Sequence, residues 1–268
     1  MKLTTSEHFE EHNIDALIEK YNQQKAEAVD KKEEEAANQL WRAIESLKLN
    51  KCYVTAFEKL GKQEYRDAWC DLEQCEIACS NLIENATEEF LKGSRVYFIR
   101  DAVKNLQSLF PYCLFMSPGF VVGYYTCSIC GHKIRPRSRC GHQKGRIYCG
   151  ELCVHIAHDM EFKEVSIVKN PVQKYSVLHN DETLDFGVLE YLVDSIEHAF
   201  EPWDVEWTTQ AYPIDMFSNV ALDSECPCKS ELKFGECCSN KCEVEIPHVN
   251  FIFESSKDPE KLKNRFPY

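Results

Sequence analysis

Seven side chains able to bind a soft metal lie within one short stretch: Cys127, Cys130, His132, Cys140, His142, Cys149 and Cys153. Four more cysteines, Cys226, Cys228, Cys237 and Cys238, gather near the end of the chain. Zinc takes four thiolate or imidazole ligands in a tetrahedron, and pairs a few residues apart supply them without long loops. The first centre is best built from Cys127, Cys130, Cys140 and His142. Cys127-Ser128-Ile129-Cys130-Gly131 reads as a zinc-knuckle turn, in which Gly131 lets the backbone fold back and aim amide hydrogens at the thiolates. His132 is the rival to His142, but it lies between the two pairs and belongs to neither.

Cys149 and Cys153, four apart and expected to enter a helix, leave three alternatives open. With His155 and His158 they could form an additional metal site. Cys153 could replace His142 as the fourth ligand, or Cys153 could pack while Cys149 stays exposed. Two zinc ions per chain are expected.

Cysteine usage and charge set the context for these sites. The chain holds fifteen cysteines, and its N-terminal stretch turns acidic at once, without the apolar run of an export signal. In a reducing compartment, closely spaced cysteines are metal ligands more often than disulfides, so a cytoplasmic, bacterial setting is expected. No apolar run approaches the length of a membrane span.

The net charge of −13 is unevenly spread. Lys133, Arg135, Arg137, Arg139, Lys144 and Arg146 fall within 126–150, which has no acid, whereas 175–228 has twelve acids and no Lys or Arg. Either the two stretches face each other, or the basic one meets a polyanion.

Helices must carry most of the first 110 residues. Ile14, Leu17, Ile18 and Tyr21 form one helical stripe, and Leu40, Trp41, Ile44 and Leu47 another, which Tyr53, Phe57 and Leu60 extend to a stop at Gly61. Tyr65, Ala68, Trp69, Leu72, Cys75, Cys79 and Leu82 line one face of the next, where Cys75 and Cys79 read as buried, inert thiols. A single helix is expected over 90–110, ended by Pro111. Pro118-Gly119 reads as a boundary turn. Strands are expected at 164–168, 175–178, 203–208 and 248–253, a helix around Leu189 and Leu192, and a polar tail over 257–268.

The fold class is α+β: a helical bundle or hairpin array, then a zinc-stabilised mixed half. The expected divisions are a helical domain over 1–115, a zinc-containing α+β domain over 116–210, a second zinc motif over 211–245, and a terminal strand and tail over 246–268.

Two resemblances add to this reading. The run Cys226-Pro227-Cys228, then Lys233-Phe234, then Cys237-Cys238 resembles the SEC-C motif, a zinc module named for the C-terminal tail of the preprotein-translocating ATPase. The resemblance implies Cys226, Cys228, Cys237 and Cys238 as the four ligands. It also implies an accessory module of the kind that contacts partner proteins. Two positions usually held by Gly in that motif are Lys229 and Glu231 here. The region from Tyr125 to His158 resembles a small zinc region of assorted bacterial and phage-related proteins. Its pattern is carried by Cys127 to Gly131, Cys140 to His142, and Gly145, Tyr148, Gly150 and Cys153. That likeness implies one composite domain over about 120–180 and no reaction.

No phosphate-binding loop, zinc-protease pair or nucleophile elbow is present in the sequence. The expected function is therefore a non-enzymatic, zinc-stabilised adaptor that meets a protein partner through its helices and zinc loops. The alternative is nucleic-acid binding through the six basic residues, with Tyr124, Tyr125 or Tyr148 stacking on bases. A zinc-dependent hydrolase comes third, because sets rich in thiolates leave zinc no open position.

Overall fold

A computed structural model describes residues 3–253, so the expected tail over 257–268 lies outside the described residues. The architecture is mixed, with helices in front and small sheets and cysteine clusters behind. The described helices include none long and apolar enough to cross a membrane. The chain divides at Glu201/Pro202 into two compact units.

The first unit begins with α1 (Ser6–Glu11), α2 (Ile14–Asp30), α3 (Glu34–Gly61) and α4 (Tyr65–Asn85). Each longer helix packs on the next, which makes the hairpin array that the stripes call for. Both hairpin turns place a residue other than glycine in the left-handed region, Lys32 at φ 60° and Gln63 at φ 62°. Each turn is closed by the same bond, Glu33 N to Ala28 O and Glu64 N to Lys59 O, both 2.9 Å. Gly61 is the last helical residue, and the reversal itself falls at Gln63. Ala68, Trp69, Leu72, Cys75, Cys79 and Leu82 are buried along α4 as expected. The neighbouring Cys52 thiol, and then burial, push the Cys75 thiol far above its ordinary range. Burial pushes the Cys79 thiol up to about 12.

The single helix expected over 90–110 is two helices, α5 (Glu88–Gly93) and α6 (Val96–Leu109). Arg95 breaks the run at φ 63°. Its guanidinium lies 4.1 Å from the Phe200 ring centroid and donates to Leu3 O, contacts that a continuous helix would not allow. Thr87 caps α5 by accepting from Phe90 N.

A sheet of order β2-β1-β5 follows, built from β1 (Phe115–Cys127), β2 (Lys133–Ile134) and β5 (His155–Val168). β1 runs straight through the turn expected at Pro118-Gly119. Met116 N donates away from β5, to Ser176 O. Two residues later the Pro118 nitrogen faces that same side, where no strand pairs with it, so the missing N–H costs no ladder bond. The register shifts between Gly119 and Phe120, and the pairing is also irregular opposite Gly123, where Asp159 stands at φ 53°. β5 is longer than the expected 164–168 segment, and the strand expected at 175–178 is reduced to a bridge between Phe115 and Val177.

Between β2 and β5 lies a small hairpin, β3 (Ile147–Tyr148) and β4 (Glu151–Leu152). It replaces the helix expected around Cys149 and Cys153. The turn needs φ of 47° at Cys149 and 74° at Gly150, which no helix allows. α7 (Gly187–Ser195) follows Phe186, whose ring stacks on Tyr65 with centroids 3.8 Å apart.

The second unit is a hairpin of β6 (Trp203–Pro213) and β7 (Glu243–Phe253), paired from Trp203↔Phe253 to Pro213↔Glu243. The excursion between them carries the second cysteine cluster and α8 (Phe234–Cys237). This differs from the expected divisions, which place the two strands in separate domains. The pairing partner of β6 lies beyond the entire cysteine cluster, and no local pattern encodes such a contact. The core of this unit is Phe217, Cys226, Phe234, Cys238, Val244 and Ile246, two of them candidate ligands.

Candidate metal centres

At the first centre, β1 delivers Cys127 to its end and the chain turns back at once. Gly131 N donates to Cys127 O at 2.8 Å, with Gly131 at φ 69°, the reversal expected of it. Cys127 N donates to His132 O at 3.0 Å. Burial raises the Cys127 thiol, but the N–H groups of Cys130 and Ile129 and the thiols of Cys140 and Cys153 outweigh it and hold Cys127 down to about 6. A thiolate cradled by amide hydrogens is the form zinc requires.

Ligand atoms of Cys127, Cys130, Cys140 and His142 all lie within 4.8 Å of one another. His142 Nδ1 is 3.7 Å from Cys127 Sγ. His132 is elsewhere, with its Nε2 3.2 Å from Ser138 Oγ. The Cys149–Cys153 pair does not form an additional site. Cys149 is exposed at the tip of the small hairpin, beside a cleft of about 650 Å³ shared with Lys25 and Val29. Cys153 is fully buried, with its Sγ 3.7 Å from Cys127 Sγ. His158 contacts Thr126 Oγ1 at 2.8 Å and stacks on Tyr124, and His155 lies by Tyr125.

The helices fix this centre in place through buried side-chain amides. Asn85, on α4, accepts from Ile147 N at 3.0 Å and donates to Gly145 O at 2.7 Å. Asn38, on α3, accepts from Gly150 N at 2.7 Å. Lys25, on α2, donates to Gly150 O at 3.0 Å and to Glu151 at 2.8 Å. A Cβ at Gly150 would stand 2.8 Å from the Lys25 side chain and 3.1 Å from Ala37 O, so only glycine fits there. Sequence reasoning missed Asn38 and Asn85, because nothing in a polar residue on a helix marks it as buried. Replacing Asn85 with Ala strands a buried N–H and a carbonyl, and is expected to cost about 1–3 kcal/mol. Asn85→Asp keeps the acceptor but loses the donor to Gly145 O and buries a carboxylate against it, so it should cost at least as much. Equilibrium unfolding in denaturant measures both.

At the second centre, Cys226 N donates to Leu232 O at 2.8 Å and Lys229 N to Cys226 O at 2.9 Å, which closes the turn under the thiols. Lys229 and Glu231 sit at φ 61° and 65°. The turn survives without glycine, at a steric cost in each residue. The four thiols lie within 4.8 Å of one another. The Sγ of Cys228 is 3.2 Å from that of Cys226 and 3.5 Å from that of Cys237, and the Cys237 and Cys238 sulfurs are 3.6 Å apart. Bonds of about 2.3 Å to a tetrahedral zinc set sulfurs about 3.8 Å apart, so these three pairs need only a small expansion to take the ion. The Ser230 hydroxyl is the main group holding the Cys228 thiol down to about 6, against burial. Cys242 is exposed and outside the group. Both donor sets fit zinc in type, number and spacing.

Lys133, Arg135, Arg137, Arg139, Lys144 and Arg146 are exposed around the first centre. Lys133 Nζ lies 3.6 Å from the Tyr124 ring centroid, and Arg146 donates to Glu84 O. The acids Asp181 and Glu190 meet α4 instead of this loop. Arg66 reaches Asp181 at 3.4 Å, and Tyr65 donates to Glu190 at 2.6 Å. No protein-family model, curated protein or solved structure matches the chain.

Proposed function

We propose that the chain is a zinc-stabilised adaptor that binds a protein partner, with the β1–β5 ribbon as its contact surface. One observation carries this reading. Phe120 pairs with Phe162, Val122 with Met160 and Thr126 with Ile156, so these side chains share one face. Phe120, Phe162, Met160 and Ile156 are 46%, 55%, 52% and 45% exposed. An apolar ladder left open to water, interrupted by the stacked Tyr124–His158 pair, on a strand pair rooted at a cysteine centre, is an interaction surface. The helices and zinc loops named from the sequence hold this ribbon at its base. The SEC-C likeness of the second cluster agrees with a binding module.

A second reading, nucleic-acid binding, is favoured by the exposed Arg135, Arg137 and Arg139 beside the Lys133–Tyr124 pair. A hydrolase is less favoured, since donor sets of this kind close a zinc ion's coordination shell.

A photo-crosslinking residue placed at Phe162 in the native host is expected to give one discrete protein adduct, and the same residue placed at Arg137 none. Adducts at Arg137 alone, together with a gel shift at low salt that R135A/R137A/R139A abolishes, would overturn the adaptor reading in favour of the second. An absence of gel shift by the unaltered chain removes the second reading.

A further inference from the structure

Four donors of the first centre lie within 4.8 Å of one another, and a fifth, Cys153, approaches Cys127. We propose that Cys153 is the fourth ligand there, completing an all-thiolate set with Cys127, Cys130 and Cys140, while His142 stands beside the metal. This rests on the zinc reading above and specifies its ligands.

Three observations carry it. The first is distance. Cys153 Sγ lies 3.7 Å from Cys127 Sγ, the edge expected between two thiolates on one tetrahedral zinc, about 3.8 Å. His142 Nδ1 is equally near Cys127 and also lies within 4.8 Å of Cys130 and Cys140, so the choice between the two rests on how each is held.

The second is how each donor is held. Cys153 is pinned on both sides by backbone bonds: its N–H donates to Arg146 O and its carbonyl accepts from Gly145 N, each at 2.8 Å. The next residue is tied to the knuckle itself. Ser128 N donates to Val154 O at 3.0 Å, and Val154 N donates to Ser128 Oγ at 2.9 Å. Cys153 is thus built into the same frame as Cys127. His142 stands on the 135–144 loop, where its ring meets Tyr148 edge-on at 4.6 Å and Gln143 N donates to Tyr148 Oη at 2.9 Å. A ligand held by the frame needs less ordering to bind metal than one held by a loop.

The third is charge and burial. Cys153 is fully buried, whereas His142 is partly exposed. Four thiolates around a divalent zinc leave two negative charges, and the exposed ring of lysines and arginines in 133–146 offsets them.

The test is X-ray absorption at the zinc edge on the full chain loaded with two zinc ions. An all-sulfur first shell is expected, unchanged in H142A, which should also keep both ions. C153S should lose one of its two ions to a competing chelator. The proposal is overturned by a nitrogen donor in the unaltered protein that disappears in H142A, or by C153S holding both ions as firmly as the parent. The first-shell measurement decides even if C153S fails to fold. A full chain that binds no zinc would sink the zinc reading itself. One that binds two, with nitrogen at the first centre, would sink only this ligand assignment.

Discussion

Removing zinc with a strong chelator is expected to unfold the second unit completely while the helical signal of α1–α6 persists. A core of six side chains, two of them candidate ligands, cannot hold such a short unit. At this size a single core supplies about 3–5 kcal/mol at most. A structural zinc contributes about 10–16 kcal/mol near neutral pH. The metal term therefore dominates, and its loss leaves β6 and β7 nothing to close upon. The helices of the first unit bury Ile44, Leu49, Tyr53, Leu72, Leu82, Ile99 and Leu106 without help from either centre.

Acid should act in the same direction. The Cys127 and Cys228 thiols are lowered from 9.0 to about 6. A lowered thiol contributes stability that is full above its ordinary range and lost as pH falls through the folded value. Protons compete with zinc for these thiolates, so both centres should hold their ions less firmly as pH falls. Circular dichroism, proton NMR and metal counting follow both experiments. A chain that stays native after chelation, with no metal found by mass spectrometry, would sink the reading.

Trp69→Ala is expected to be the most damaging single change in the first unit, at about 3–5 kcal/mol. Trp69 is 4% exposed, and its ring meets Phe110, Tyr112 and Phe115 at 4.9, 5.2 and 6.1 Å. Its Nε1 donates to Lys174 O at 2.6 Å, tying α4 to the segment that follows the ribbon. Glu73, one helical turn further on and also buried, accepts from Tyr175 N at 2.8 Å. Truncating Trp69 removes the wedge between α4 and the start of β1, so the ribbon should lose its anchor along with the core. For a chain of this size the melting temperature should fall by roughly 6–20 °C. Trp69→Phe keeps the ring packing and loses the hydrogen bond, and should cost about 1 kcal/mol or a little more. A thermal melt that puts Trp69→Ala within 1 kcal/mol of the parent would refute this account.

The sequence by itself determined the parts of this protein whose causes are local. Apolar stripes at helical spacing marked α2, α3 and α4, because a period of 3.6 is written in neighbouring residues. Cys127-x-x-Cys130-Gly131 and Cys226-x-Cys228 with Cys237-Cys238 marked the candidate metal centres, because a knuckle takes its ligands from adjacent turns. Only the tertiary structure decided which distant groups meet. Cys153 reaches Cys127 because β5 runs back along β1, and the spacing of 149 and 153 suggested a helix instead. Asn38 and Asn85 become structural because a hairpin more than 60 residues further on buries against them. β6 finds its partner beyond the second cysteine cluster, so the unit boundary falls at Glu201/Pro202 and not where composition shifts. Residues near in sequence constrain each other through backbone geometry alone. Contacts across the chain depend on how whole elements pack, and no single stretch encodes that.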